Sequence, residues 1–462
     1  MSESDKYQSR SPPPYFAIVV GAGAAGLFAA DLLNRAQMSI VILEASDHSG
    51  GRVQSRRELG SELGLILDEG ANLINSTDTL AIGLLDRFDI SYVRRLPRNV
   101  DHMHYIFKGK IYHQAAMQDM LFEQNALALG HLADDQDLWS WAAQRDTDPR
   151  FINESIAEYL ERIDASPSLV TLLDSFFWSE YGRKLEELNL HVLFDYLRID
   201  LRNRTFTLIP SADEAYTVPG GTGQLIAAFQ GGLADHIKFR RRVFRINDRL
   251  KDRVIVECHN AQGQIESYEG DAVIFAAPLH SLATIAVSVS GLKPESLAKA
   301  RAATYAIGTK LHLKFSKGFH QHYKFRGIVL TDGGEQIWPS DTGQGAVGLL
   351  TVLTGPISAS PEALRLRVKD VLAKLEVAAP GCSQYFVGVE RSDAPLSYSG
   401  SLRPGEPAHL SIHAGTERWF TVGEASGGEL QGYLEGAFRS AERETTRLIA
   451  RSVFAKRPQR QS

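Results

Sequence analysis

Three glycines in Gly21-Ala-Gly-Ala-Ala-Gly26 follow an apolar run, Phe16-Ala-Ile-Val-Val20, and precede a helically spaced stretch from Leu27 to Arg35. That order puts a glycine turn between a buried parallel strand and a helix N-terminus, where a dinucleotide's phosphates bind. Gly21 permits the tight turn, Gly23 lets backbone approach the pyrophosphate, and Gly26 lets helix and strand pack closely. The first helical turn, which holds Ala25, supplies unpaired N–H groups and partial positive charge. A second strand, Ser39-Ile-Val-Ile-Leu-Glu44, ends in an acid 18 residues after Gly26. Glu44, with Ala45 beside it, stands where a carboxylate can accept both ribose hydroxyls of the adenosine.

Two other stretches carry chemistry. In Thr309-Lys-Leu-His-Leu-Lys-Phe315, alternation puts Lys310, His312 and Lys314 on one strand face and Leu311, Leu313 and Phe315 on the other. A solvated face accounts for His312 and Lys314; Lys310 is the one singled out for function. Near the C-terminus, Trp419-Phe-Thr-Val-Gly-Glu-Ala-Ser426 reads as a strand entering a glycine-acid turn, and Gly432-Tyr-Leu-Glu-Gly-Ala-Phe438 opens a helix that runs to Ile449. Gly423, Glu424, Gly432 and Leu434 form a second anion-and-ribityl site by the same physics. Tyr433 stands at the start of that helix.

Ser49-Gly50-Gly51-Arg52 follows Glu44. It resembles the flavoprotein version of the dinucleotide fold, in which Gly51 and Arg52 reach the pyrophosphate, and so points to FAD. The chain as a whole resembles the flavin-containing amine oxidases, especially the soluble bacterial flavin monoamine oxidases. The resemblance rests on the order of motifs: the two glycine-rich ends, Ile66-Leu-Asp-Glu-Gly-Ala-Asn-Leu-Ile74, Phe151 to Leu160, Glu180-Tyr-Gly182, Ser211 to Leu225, Asp271 to Pro278 and Gly308 to Phe315.

The resemblance implies roles. Gly70, Ala71 and Asn72 would line the flavin, and Val243 would hold the adenosine end through backbone groups. Lys310 matches a lysine that holds a water near flavin N5, and Tyr433 matches one wall of a two-aromatic sandwich for a neutral amine. The second wall departs from the pattern. In Arg391 to Leu402 the expected tryptophan falls near Arg391 and the second tyrosine falls on Leu402, with Tyr398 as a ring that a register slip could supply. Ser401 stands where covalent members carry a cysteine, so FAD is expected to be non-covalent.

Positioning these residues requires an α/β fold: a Rossmann-like FAD-binding domain interleaved with a mixed α+β substrate-binding domain. The FAD domain is expected from residues 15–90, 212–290 and 405–455, and the substrate domain from 91–211 and 291–404, after a disordered leader at 1–14. Helical patterning covers Ala115–Leu127, Asp134–Ala143, Ser155–Ile163, Pro167–Trp178 and Leu188–Leu197. Strands are expected at Thr309–Phe315 and Ala346–Leu353, and a helix over Ser360–Leu375, started by Ser360-Pro361 with Glu362.

At 462 residues, 44% apolar, 23% charged and net charge −5, the chain is globular and offers no case for nucleic acid or an anionic membrane. Ala272–Leu292 lacks formal charge but reads as buried strand plus loop, not a membrane span. The two cysteines, Cys258 and Cys382, have no metal-ligand spacing, so no metal is expected and a reducing, cytoplasmic setting is favoured. The N-terminus lacks a secretory apolar region. The leading expectation is oxidation of a small-molecule amine with O₂ as acceptor, giving imine and H₂O₂. An α-amino-acid oxidase clamping a carboxylate through Arg94, Arg95 or Arg326 stays open. So do a C–C oxidase or desaturase, a non-catalytic flavoprotein, and a homodimeric state.

Overall fold

The computed structural model describes residues 15–57, 65–95, 103–141, 148–208, 213–250, 253–316, 319, 327–340, 348–398 and 417–455. Two large sheets organise it. The first has eight strands and draws on three distant parts of the chain. Tyr15–Val20 lies at its centre, parallel to Ile40–Leu43 on one side and Ile265–Phe275 on the other. Every residue of Ile40–Leu43 is buried, as a β-branched run covered on both faces should be. Ile265–Phe275 has two further partners. Its first half pairs antiparallel with Arg253–His259, and Val273 to Phe275 pair parallel with Trp419–Thr421. The C-terminal strand therefore joins the N-terminal one through a shared neighbour.

Helices lock that junction. Ala24–Arg35 packs on Leu434–Ala455, where the rings of Phe28 and Phe438 meet edge to face at 5.4 Å between centroids. Phe229, from Gly223–Leu233, completes the aromatic cluster. Burying each ring stabilises by roughly 2–3 kcal/mol. Glu435, fully buried, accepts hydrogen bonds from Leu80 N at 3.1 Å and Ala81 N at 2.9 Å. A residue of the last helix thus caps the N-terminus of Thr79–Arg87 and meets its positive dipole end.

The second sheet has seven strands in the order Phe386–Tyr398, Tyr305–Phe315, Gly348–Thr354, Glu335–Pro339, Ile328–Thr331, Met103–Phe107 and Lys110–His113. The last two, and the hairpin Leu197–Asp200 with Thr205–Leu208, are strands within the segment patterned as helical. Its helices are Gln114–Gln124, Ala126–Trp141, Ile156–Arg162, Pro167–Tyr181 and Leu190–Tyr196. Ser360 Oγ accepts from Ala363 N at 3.1 Å and starts Pro361–Ala378 as expected. Gly182 ends the helix Pro167–Tyr181 in the left-handed region, at φ 62°. A Cβ there would stand 2.0 Å from Ile307 O, so glycine lets the helix end against the strand that carries Lys310. Among the described residues no helix is long and apolar enough to cross a membrane, and no cluster of His, Cys, Asp or Glu could hold a metal ion.

Candidate active site

The glycine turn fits phosphate. Gly23 caps the helix Ala24–Arg35 without any side-chain cap bond, so the first-turn N–H groups around Ala25 are left for an anion. A Cβ on Gly23 would meet only Gly50 O, at 3.9 Å. On Gly26 it would stand 2.1 Å from Gly21 O and 3.0 Å from Ala276 Cβ. The two glycines therefore do different work: Gly26 serves helix-to-strand packing, and Gly23 keeps space open. Glu44 follows directly on the second strand, Ile40–Leu43. Its Oε2 accepts from Ala22 N at 2.7 Å, and its Oε1 accepts from Ser46 N and Ser46 Oγ, both at 2.8 Å. These bonds aim the carboxylate beside the turn and leave it acceptor capacity. Ala45 and Gly51 are exposed next to it.

The two ends of the chain meet in one ion pair. Arg52 Nη1 donates to Glu424 Oε1 at 2.6 Å, and Glu424 Oε2 accepts from Gly432 N at 3.1 Å. The Arg52 guanidinium also lies 5.4 Å from the centroid of the Tyr305 ring. The arginine read as a pyrophosphate ligand thus has a protein partner from the C-terminal turn. Gly423 N donates to Ser440 Oγ at 2.9 Å, which ties that turn to the last helix, where Leu434 is the first residue. Val243 lies in Arg242–Leu250 opposite Cys258, 8% exposed.

Lys310 is buried, 6% exposed, in the strand Tyr305–Phe315. Its Nζ donates to Gly70 O and, at 3.4 Å, to Asn72 Oδ1. The structure therefore joins the lysine to the Gly70-Ala71-Asn72 segment. Burial pushes its ammonium down to about 8, against the opposing pull of the Asp68 and Glu214 carboxylates. The Trp338 ring centroid lies 6.0 Å from Nζ, and Trp338 Nε1 has no partner among the described residues. A buried donor without an acceptor costs roughly 1–3 kcal/mol, so this one is left for a substrate or water.

Asp68, Glu180, Glu214, Gln336 and Trp338 were not singled out from sequence. Asp68 sits inside a recognisable segment, but its neighbours come from tertiary packing: Ser55 Oγ, and Thr222 N at 3.0 Å, both donate to its Oδ1. Glu180 Oε1 accepts from Gln336 Nε2 at 2.6 Å. Burial raises the Glu180 carboxyl from its ordinary 4.5 to about 7, and the nearby Glu214 adds to the rise. A carboxyl raised on folding favours the folded state below its unfolded value and loses that advantage as pH climbs from 4.5 to 7. Glu180→Gln is therefore expected to be more stable than the parent above pH 7, by up to ~3 kcal/mol, with no difference near pH 4. Denaturant titrations at the two pH values check this. Equal stability at pH 8 would mean that Glu180 titrates normally.

Some expectations need correction, and others fall outside the described residues. His312 does not lie on a solvated face: it is 1% exposed, because the Ile66–Asp68 segment with Thr217 and Val218 closes over that face of its strand. Lys314 is partly buried and reaches Glu390 at 3.3 Å. Arg391 donates to the carbonyls of Ile357 and Ser358, at 2.6 and 2.7 Å, and so braces a neighbouring loop. Leu402, Ser401 and the side chain of Tyr398 lie outside the described residues, as does Arg326. Tyr433 precedes the last helix with its backbone N–H on Leu430 O at 3.2 Å, and its hydroxyl acts electrostatically on Tyr181. Tyr181 and Tyr196 meet edge to face, 5.6 Å apart.

A glycine turn that fits phosphate, an acid just past the second strand and a buried lysine on a second sheet agree with a flavin-dependent class of oxidoreductases. The chain matches the flavin-containing amine oxidoreductases over residues 24–449 and belongs to that family. FAD is the cofactor that the family and the turn together specify. YobN of Bacillus subtilis, whose name assigns it provisionally as an L-amino-acid oxidase, is 24% identical over 67% of this chain and 66% of its own length. Flavin-containing amine oxidase B of Bos taurus is 26% identical over 56% of this chain and 50% of its own. The matches thus span about half to two thirds of these relatives' length. An engineered putrescine oxidase with redesigned cofactor binding has the same fold, with TM-score 0.77 at 17% identity over 95% of this chain and 99% of that one. Cyclohexylamine oxidase from Brevibacterium oxydans has TM-score 0.75 at 17% identity over 96% and 100%.

Proposed function

We propose that this protein oxidises the C–N bond of a small amine, with FAD held non-covalently and O₂ as the final acceptor, giving an imine and H₂O₂. The observation that carries the reading is the buried Lys310, tied to Gly70 and Asn72 and faced by carboxyls. Bound FAD supplies a hydride acceptor at N5. The protein's residues do the rest. An amine reaches solution mostly as an ammonium, which Lys310 alone would repel. Asp68 and Glu214, with Glu180 near Glu214, give the surroundings acid character that offsets this repulsion. Glu180, titrating near 7, can take up the proton that an ammonium must lose before its lone pair can drive out a hydride. Tyr433 and Tyr181 supply π-faces for the neutral amine.

One observation favours a second reading, oxidation of an α-amino acid. Arg95 is buried, its Nη1 donates to Glu214 O at 3.2 Å, and its Nη2 has no partner among the described residues. A substrate carboxylate could satisfy it. Residues 15–90, 212–290 and 405–455 would form the FAD-binding domain and 91–211 with 291–404 the substrate domain. A cytoplasmic location and a homodimer complete the reading.

The test is anaerobic. The purified yellow protein is mixed with monoamines, diamines and amino acids, and bleaching of the flavin's visible absorbance is followed as the readout of its reduction. Bleaching by amines supports the first reading, and bleaching by amino acids alone supports the second. Bleaching by neither, together with bleaching by a substrate that contains no nitrogen, would sink both.

A further inference from the structure

Against Asp68 and Asn72, the second of which Lys310 contacts, lies a small polar space that the proposed chemistry does not use. It is lined by Asp68, Asn72, Thr217, His312, Ser340 and Thr351, with apolar walls from neighbouring strands. About 10 Å³ of it is open to the centre of a water molecule, roughly the room for one. His312 is 1% exposed and presents Nε2 without any partner among the described residues. Its other nitrogen, Nδ1, is 3.2 Å from Thr351 Oγ1, which in turn is 2.7 Å from Ser340 Oγ. A buried ring nitrogen with no partner, beside a polar space of one water's size, calls for that water.

We propose that this space holds one ordered water, hydrogen-bonded to His312 Nε2, Asp68 and Asn72, and that through it His312 acts as a positioning residue for Lys310. The bonding pattern closes. His312 is neutral, because burial and the charges of Lys310 and Arg56 push its ring down to about 3. With Nδ1–H donating to Thr351 Oγ1, Nε2 is free to accept. The water then donates to Nε2 and to the Asp68 carboxylate. It accepts from the Asn72 amide, whose Oδ1 faces Lys310 Nζ at 3.4 Å. Three partners satisfy a buried water. Lys310 and His312 are two residues apart on one strand and share a face.

The consequence falls on the lysine. The charged groups facing it are Asp68 from Ile66–Asp68 and Glu214 from the segment before Tyr216, with Arg56 beyond His312. A water fixed between Asp68 and Asn72 solvates the ammonium side of the balance. His312→Leu fills the space with hydrocarbon, expels the water and leaves Lys310 drier, so its titration midpoint falls. His312→Gln keeps an acceptor and holds the water.

The experiment uses the FAD-loaded protein in three forms: parent, His312→Leu and His312→Gln. High-resolution crystal structures read the water directly. Lysine-selective NMR, with Lys310 assigned by its absence in Lys310→Met, reads the titration midpoint without reference to turnover. The expected result is a water in the parent and the glutamine variant, none in the leucine variant, and a midpoint lower by at least ~0.5 pH unit in the leucine variant alone. A parent structure with no water at His312 overturns the proposal, whichever variants fold. So does a leucine variant whose midpoint matches the parent's, because a purely structural histidine would change stability and leave the lysine where it was.

Discussion

Gly23→Ala is expected to give a folded protein that cannot hold FAD. Gly23 has φ −75° and ψ 177°, an extended conformation that alanine adopts freely, and its new Cβ would meet only Gly50 O at 3.9 Å. The apoprotein's stability should stay within about 1 kcal/mol of the parent's. The methyl group would instead occupy the space that the pyrophosphate needs beside the helix N-terminus. We expect FAD affinity to fall at least ~100-fold, or about 2.7 kcal/mol. Gly26→Ala is the control. Its Cβ would stand 2.1 Å from a backbone oxygen, so it should lose stability as well as cofactor. Thermal unfolding of the apo forms and fluorescence titration with FAD separate the two. A Gly23→Ala protein that purifies yellow with full FAD occupancy would place the phosphates elsewhere.

Lys310→Met should leave FAD bound and slow either flavin reduction or its reoxidation at least tenfold. The lysine contacts the protein segment Gly70 to Asn72, not the phosphate turn, so its loss should not release the cofactor. A unit charge ~5 Å from a reacting centre, at an effective dielectric constant of about 20, is worth about 3 kcal/mol. Tenfold needs only about 1.4 kcal/mol. The charge is present below the lysine's value of about 8 and is lost as pH rises through it. The step that depends on the cation should therefore slow above pH 8 in the parent and lose that pH dependence in the methionine variant. Stopped-flow reduction under anaerobic conditions and reoxidation by O₂ across pH 6–10, a range spanning roughly two units either side of 8, check both parts. Parent-like rates in both half-reactions would remove Lys310 from the site.

Local patterning was strongest where one element carries its own reason. The turn at Gly21 to Gly26 and the Ser360-Pro361 helix start each need only near neighbours in sequence and stand where the pattern put them, while the second strand stops one residue short of Glu44. The alternation in Thr309 to Phe315 also holds. What it could not show is that both faces are covered: His312 is as buried as Leu311 because other strands and the Ile66–Asp68 segment close over it. Met103–Phe107 and Lys110–His113 were hidden for a related reason. Met103–Phe107 is buried throughout and pairs with a strand more than two hundred residues away in sequence, so it shows no alternation.

By itself the sequence pointed to a dinucleotide cofactor and to the flavin-containing amine oxidoreductase family that the chain belongs to. Glycine spacing and the placement of acids are local requirements of phosphate and ribose, and they survive in one dimension. Only the tertiary structure decided how the ends are fastened and what surrounds the lysine. Arg52 meets Glu424 across most of the chain, and Glu435 caps a helix from the N-terminal third. Asp68 and Glu214 come from separate segments to face Lys310, and Glu180 comes from a third to lie near Glu214. Each is an ordinary acid in sequence. Burial and convergence, which arise only on folding, raise the carboxyls and lower the lysine toward neutral pH.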